Sequence, residues 1–177
     1  IHNEAMMIGL MLAGTELALR AIESSSPLRR TSLLLLLCGA GSIALSATIK
    51  IPSLLALGFI GMALARRWGG SLRAVLASAA VLVTVSVVVI GGVSVASGLG
   101  FGWINTLNTA SAVRSWMSIP TILGLGTGFV GVLLGLGDHT TAVLSLTRPI
   151  AAAVAAFVSL RMLVAVLEGR VHPVGAL

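Results

Sequence analysis

Residues 74–96 have the sequence AVLASAAVLVTVSVVVIGGVSVA, in which no side chain carries a charge. An α-helix rises about 1.5 Å per residue, so about 20 apolar residues are needed to cross the ~30 Å hydrocarbon core of a bilayer. The segment is long enough and apolar enough for such a crossing. We predict that it forms a transmembrane helix.

The composition of the whole chain extends this prediction. Of its 177 residues, 57% are hydrophobic and 9% are charged, and the mean hydropathy is +1.10. A soluble domain carries roughly a quarter charged residues, and a soluble fold of this length cannot bury so much apolar surface. We therefore predict an all-α, polytopic transmembrane bundle of about five to six apolar helices. No soluble domain, linker or internal repeat is visible, so residues 1–177 are treated as a single membrane domain.

Four further apolar segments are predicted to be spans: residues 5–22, 32–49, 53–65 and 146–167. The segment 53–65 follows a break at Pro52 and is short for a crossing. In the segment 146–167 the chain is expected to enter the membrane at Arg148 and Pro149.

Residues 121–137 are also apolar, but they contain six glycines. Each glycine weakens a helix by up to ~1 kcal/mol relative to alanine, which favours a re-entrant or interfacial helix that stays on the outer side. A full crossing is the alternative. The Gly-x-Gly patterns lack the βαβ context of a dinucleotide site, so close helix packing is the better interpretation.

The net charge of +6 does not indicate a nucleic-acid partner. The positions of the positive charges indicate the membrane topology instead. The arginines lie at the ends of apolar runs, as the positive-inside rule predicts, and not in aromatic-rich basic patches. With Ile1 on the outer side, most arginines fall in inner loops, whereas Lys50 and Arg114 fall in outer turns. Because the chain begins without Met, we expect Ile1 to be an internal edge of a longer multi-span protein.

Lys50 is the only lysine and lies just before Pro52. A lysine at a helix end commonly extends its ammonium group to the membrane surface. The functional alternative is a cation for a lipid-linked phosphate. Arg148 is a second candidate for such a phosphate.

Polar residues at other positions expected on the outer side also have either a structural or a functional role. His2, Asn3 and Glu4 form either a polar boundary, with Asn3 capping the first helix, or a group that binds sugar hydroxyls and assists acid–base chemistry. Asp138, beside His139, is either part of an ordinary turn or a supporting carboxylate.

Residues 97–119 are predicted to form an interfacial loop. Trp103, Arg114 and Trp116 are expected there as membrane anchors, with sugar binding as the alternative. The three histidines are far apart in sequence and Cys38 is the single cysteine, so no metal site is predicted.

Several short motifs resemble those of a known enzyme family. They are HNEAMMIGLMLAG at 2–14, SATIKIP at 46–52, GWIN at 102–105, VRSWMSIPT at 113–121, LGD at 136–138 and TRP at 147–149. In this order they resemble the actinobacterial polyprenol-phosphomannose-dependent alpha-(1→6)-mannopyranosyltransferases.

The resemblance implies a glycosyltransferase of the GT-C class. Such an enzyme moves mannose from a polyprenyl-phosphate donor to a growing alpha-1,6-mannan, the core of lipomannan and lipoarabinomannan, at the outer face of the plasma membrane. It implies no cofactor. The family's main catalytic carboxylate is expected upstream of Ile1, so the catalytic base is not assigned. Glu4 and Asp138 are supporting candidates, and Lys50 with Arg114 or Arg148 would stabilise the departing phosphate.

Two alternatives stay open. One is another GT-C envelope enzyme that transfers arabinose or glucose. The other is a secondary transporter, in which the glycine-rich segment would be an unwound binding helix. A transporter should show inverted repeats and an ionisable group near the bilayer midplane, and the sequence shows neither feature.

Overall fold

The computed structural model describes residues 2–24, 30–98, 100 and 118–176, and in these ranges the regular structure is helical. The α-helices, in chain order, are α1 (His2–Glu23), α2 (Arg30–Ala47), α3 (Leu54–Arg67), α4 (Leu72–Ala96), α5 (Ile119–Leu133), α6 (Thr140–Leu167) and the short α7 (Pro173–Ala176). A single 3₁₀ turn at Ile51–Ser53 precedes α3. The predicted all-α bundle of apolar helices is confirmed.

Helices α1, α2, α4 and α6 are long and apolar enough to cross a membrane. The predicted spans 5–22, 32–49 and 74–96 match α1, α2 and α4 to within three residues at either end. Helix α3, predicted as a span, has only 14 residues. It is therefore about 21 Å long, which is short of the ~30 Å hydrocarbon core.

The helix that contains the last predicted span, 146–167, starts six residues before that span. Helix α6 begins at Thr140, so Arg148 and Pro149 lie inside it rather than at its start. The reason lies in the preceding turn, where Asp138 Oδ1 accepts a hydrogen bond from the Thr140 backbone N at 2.8 Å. A carboxylate in this position satisfies an unpaired N–H group of the first helical turn.

The chain divides into two compact units. The large unit contains residues 1–101 and 162–177, that is α1 to α4, the end of α6 and α7. The small unit contains residues 102–161, that is α5 and most of α6.

Helix α3 lies at the centre of the large unit. Phe59, Ile60 and Leu64 of α3 are almost completely buried, together with Leu36 and Ile43 of α2. Partly buried Met162 and Leu163, at the end of α6, pack against the same core. The burial of α3 explains how a helix too short for a crossing is accommodated.

Helices α1 and α2 pack very closely because of two glycines. A Cβ atom added to Gly39 would lie 2.5 Å from the carbonyl oxygen of Gly14, and one added to Gly14 would lie 2.6 Å from that of Gly39. Small residues at such a contact let two backbones approach, as is common between membrane helices. Ser46, which is fully buried, adds a hydrogen bond from its Oγ to the Met7 carbonyl at 2.9 Å.

Arg67, the last residue of α3, joins α3 to the end of α1. Its Nη1 donates hydrogen bonds to the carbonyls of Ile22 and Ser24, the latter at 2.8 Å. The last carbonyls of a helix have no partner inside the helix, and a cation there also interacts favourably with the helix dipole. Arg67 therefore caps α1.

Five of the six glycines of residues 121–137 have one of two roles in the small unit. Gly124, Gly128 and Gly131 lie on one face of α5, where an added Cβ would collide with Leu144, Thr140 and the Gly137 carbonyl respectively. Gly135 and Gly137 have φ angles of +70° and +90° and form the turn before α6.

The contacts of Gly124 and Gly128 agree with the interpretation of the Gly-x-Gly patterns as close helix packing, whereas Gly126 has no neighbouring atom within 4 Å of an added Cβ. Helix α5 is continuous from Ile119 to Leu133, although it contains four glycines. Packing against the start of α6 offsets the low helix propensity of glycine. Whether residues 121–137 cross the membrane stays a prediction.

Candidate functional site

The candidate site in the large unit is an ion pair between Glu4 and Lys50. Glu4 lies in the first turn of α1, and Lys50 follows the end of α2. The Lys50 Nζ donates a hydrogen bond to Glu4 Oε1. The first two helices are antiparallel neighbours, so the start of α1 meets the end of α2, although 46 residues separate the two side chains.

The backbone on both sides of Lys50 is held by hydrogen bonds. The Lys50 N donates to the Ser46 carbonyl at 3.2 Å, which closes the turn at the end of α2. The Lys50 carbonyl accepts from both the N and the Oγ of Ser53, at 3.2 and 2.9 Å. Lys50 itself is extended, with φ −148° and ψ 122°, and directly precedes the 3₁₀ turn Ile51–Ser53.

The two charged side chains remain accessible although their backbone is held. The Lys50 side chain is 49% exposed and that of Glu4 is 61% exposed. An exposed ion pair contributes little to the stability of a fold, because water and salt screen it. The pair can therefore be opened at small cost by an anion that competes with Glu4 for the ammonium group.

The other residues of the N-terminal tripeptide fall within α1. Asn3 is exposed in the first turn of the helix, so the interpretation of Asn3 as the N-cap was wrong, because α1 begins one residue earlier. His2 starts the helix, and its side chain lies outside the part of the chain that the structure describes. Trp103, Arg114 and Trp116 also lie outside the described residues, and their predicted roles stay predictions.

The small unit contains Asp138, His139 and Arg148. Asp138 caps α6 through Thr140, as described above, which is the structural alternative that the sequence left open for it. His139 is exposed in the same turn, and Arg148 is half-buried in α6. Eight residues separate Arg148 from Thr140, so Arg148 lies about 12 Å further along the helix axis.

Sequence reasoning missed the residues that hold the Glu4–Lys50 pair in register. Ser46 bonds to Met7 one turn below the pair, and Gly14 and Gly39 set the distance between α1 and α2. The signal available in the sequence was the set of small residues in each of the first two apolar runs. Among the residues that the structure describes, no group of three His, Cys, Asp or Glu side chains is placed to hold a metal ion.

Models of protein families match two parts of this chain. Residues 1–66 match the N-terminal domain of alpha-(1→6)-mannopyranosyltransferase, and residues 120–177 match the MptB C-terminal domain. The first match contains Glu4 and Lys50, and the second contains Asp138 and Arg148.

Individual relatives match over the whole chain. A probable alpha-(1→6)-mannopyranosyltransferase of Mycolicibacterium smegmatis is 53% identical, over 100% of this chain and 34% of that protein. An alpha-(1→6)-mannopyranosyltransferase of Mycobacterium tuberculosis is 47% identical, over 100% of this chain and 36% of that protein. Alpha-(1→6)-mannopyranosyltransferase B of Corynebacterium glutamicum is 40% identical, over 100% of this chain and 30% of that protein.

The chain thus spans about a third of the length of these curated relatives. No solved structure matches it.

Proposed function

Since the chain belongs to the alpha-(1→6)-mannopyranosyltransferase family, we propose that it is part of a membrane enzyme that transfers mannose to a growing alpha-1,6-mannan. The observation that carries the proposal is the match of the whole chain to relatives with this name, at up to 53% identity. The four long apolar helices suit an enzyme whose substrates are attached to lipids.

We propose that the donor is polyprenyl-phosphomannose and that transfer takes place at the outer face of the plasma membrane. An acceptor hydroxyl attacks C1 of the mannosyl phosphate, the new C1–O bond to the acceptor forms, and the C1–O bond to the phosphate breaks. The hydroxyl proton goes to a carboxylate base, and the phosphate leaves with the bonding electron pair. The reaction therefore needs a base and positive charge beside the departing phosphate.

Lys50 is the group that we propose for the positive charge. Its ammonium group is accessible, its backbone is held on both sides, and its acidic neighbour Glu4 is exposed. In the absence of donor Glu4 holds the ammonium group, and a bound phosphate takes over as its partner. Because charge on the leaving phosphate grows in the transition state, the interaction with Lys50 strengthens as the bond breaks.

The remaining candidates have supporting roles in this proposal. Arg148 or Arg114 supplies a second cation to the phosphate, and His2 and Asn3 bind sugar hydroxyls together with Trp103 and Trp116. Glu4 is engaged by Lys50, and Asp138 caps α6. We therefore propose these two carboxylates only as assisting groups and assign the main base to neither.

The test is mannose transfer from polyprenyl-phosphomannose to an alpha-1,6-linked mannoside, measured in membranes that carry the whole enzyme of which this chain is a part. Lys50→Ala should lower the turnover at least 100-fold, because removing one electrostatic donor to a developing charge typically costs about 10²–10³ in kcat. Lys50→Arg should restore part of the activity. Arg20→Gln is the control, since Arg20 is an exposed cation paired with Glu16 at the other end of α1.

Near-normal turnover of Lys50→Ala, at an unchanged amount of protein in the membrane, would remove Lys50 from the site. A second outcome is that the unaltered enzyme transfers nothing from the mannosyl donor but transfers arabinose or glucose from the corresponding donor. This result would contradict the proposal that the transferred sugar is mannose.

A further inference from the structure

One end of the large unit collects most of its positive charge. Contacts show that the end of α1, the start of α2 and the end of α3 lie together: Ser24 Oγ is 3.3 Å from Ser32 Oγ, and Arg67 bonds to the Ser24 carbonyl. The turn between α3 and α4 lies at the same end. Six described arginines belong to this end: Arg20, Arg30, Arg66, Arg67, Arg73 and Arg170.

Each acidic residue at this end already has a partner other than Arg30, Arg66 or Arg73. Glu16 pairs with Arg20 at 2.7 Å, Glu168 pairs with Arg170, and Glu23 lies 3.0 Å from His172. Arg67 is used on the carbonyls of α1. Within the described ranges this leaves the exposed arginines Arg30, Arg66 and Arg73 without an acidic partner, so the end carries an uncompensated positive charge.

Two of these arginines flank one short turn. Arg66 lies in the last turn of α3 and Arg73 in the first turn of α4, with Gly69 and Gly70 between them at φ +98° and +66°. The Arg66 guanidinium lies over Gly169, where an added Cβ would be 2.8 Å from its Nη1. Gly169, at φ +76°, has no side chain and so leaves room for the guanidinium group of Arg66.

The same turn exposes apolar side chains beside the cations. Trp68 is 38% exposed and Leu72 is 74% exposed. Tryptophan concentrates at the boundary between the hydrocarbon core and the headgroups of a bilayer, and arginine there attracts anionic lipid. A soluble anion would interact only with the exposed charges. A lipid would also place its apolar chains in contact with Trp68 and Leu72.

We propose that the α3–α4 turn binds the phosphodiester headgroup of an anionic phospholipid through Arg66 and Arg73, with Trp68 at the level of the glycerol backbone. A zwitterionic headgroup gains less, because its own ammonium group offsets the attraction. This site is separate from the Glu4–Lys50 pair, which lies at the opposite end of α1, about 30 Å away along the helix axis. The inference therefore holds whether or not the proposed reaction is correct.

The test uses the 177-residue chain in nanodiscs that contain phosphatidylcholine and phosphatidylglycerol. Native mass spectrometry counts the lipids of each type that stay bound. The unaltered chain should retain phosphatidylglycerol in preference to phosphatidylcholine, and Arg66→Gln or Arg73→Gln should lower this preference about fivefold each, as expected for a juxtamembrane arginine. Arg66→Lys should retain most of it.

Arg161→Gln is the matched control, because it removes the same charge from an exposed position on α6 outside the large unit. Circular dichroism verifies that every variant keeps its helix content. An equal loss of preference in Arg161→Gln and Arg73→Gln would overturn the site in favour of a net-charge effect. Displacement of phosphatidylglycerol by millimolar inorganic phosphate would overturn the lipid assignment in favour of a site for free anions.

Discussion

At the scale of single residues, similar side chains have different environments. Arg66 and Arg67 are adjacent, but Arg67 bonds to the end of α1 and Arg66 lies exposed over Gly169. Glu4 and Asp138 were equal candidates in the sequence, yet Glu4 pairs with a lysine and Asp138 caps a helix. A residue type at a helix end therefore does not define a role until its partners are known.

Removal of the Arg67 guanidinium should destabilise the large unit. Arg67→Met keeps an unbranched apolar stem but leaves the carbonyls of Ile22 and Ser24 without their donor. Hydrogen bonds to charged groups contribute about 1.5–3 kcal/mol, so we expect a loss of unfolding free energy in this range, measured by denaturant titration in mixed micelles. Arg66→Met is the control, and an equal loss in that variant would contradict the capping role.

At the scale of secondary-structure elements, helix α5 combines low propensity with close packing. Its glycines at 124, 128 and 131 lie against the turn and the start of α6, whereas Gly126 of the same helix has no neighbouring atom within 4 Å of an added Cβ. The face that packs is therefore defined by every third or fourth residue, as the helical period requires.

This difference predicts opposite effects of the same substitution within one helix. Gly128→Ala places a methyl group against Thr140 and Asp138 and should cost about 1–3 kcal/mol, as overpacking does. Gly126→Ala has room and should be neutral or stabilise α5 by up to ~1 kcal/mol through helix propensity. Thermal unfolding followed by circular dichroism compares the two, and a lower midpoint for Gly126→Ala than for Gly128→Ala would show that the packed face is misassigned.

At the scale of the whole molecule, the lengths of α5 and α6 bear on the topology. Helix α6 has 28 residues and α5 has 15, which correspond to about 42 and 22 Å. A 42 Å helix exceeds the ~30 Å hydrocarbon core by about 12 Å. If the excess lies at its start, Arg148 is at the membrane boundary and the turn with Asp138 and His139 is in water.

Because the positive-inside rule favours Arg161 and Arg170 at the inner face, we expect the turn before α6 to be accessible from outside the cell. In a Cys38→Ala background, a cysteine at position 139 should react with an impermeant thiol reagent added to intact cells. A cysteine replacing Ser71, at the end of the large unit that carries the arginines, should react only after the membrane is opened, because the positive-inside rule places that end inside. Labelling of position 139 only in opened membranes would show that residues 121–137 cross, and it would remove Arg148 as a phosphate ligand.

The fold class and the approximate ends of helices α1 to α4 follow from the sequence alone. Both depend on local properties, since hydropathy is summed over neighbouring residues and helix ends are marked by charges, Pro52 and glycine turns. The family resemblance also rests on short motifs that are contiguous in the chain. The start of α6 was not predicted, because its cap, Asp138, was considered as a chemical group and not as a helix signal.

Only the tertiary structure decided which of these residues act together. Glu4 meets Lys50 across 46 positions, Ser46 bonds to Met7, and Arg67 reaches the end of α1. Such contacts depend on the register and spacing of packed helices, which the Gly14–Gly39 approach sets in the large unit. Hydropathy shows that a helix is apolar, but it does not show which face of the helix meets a neighbour. The pairing of Lys50 with Glu4 is therefore visible only in the folded chain.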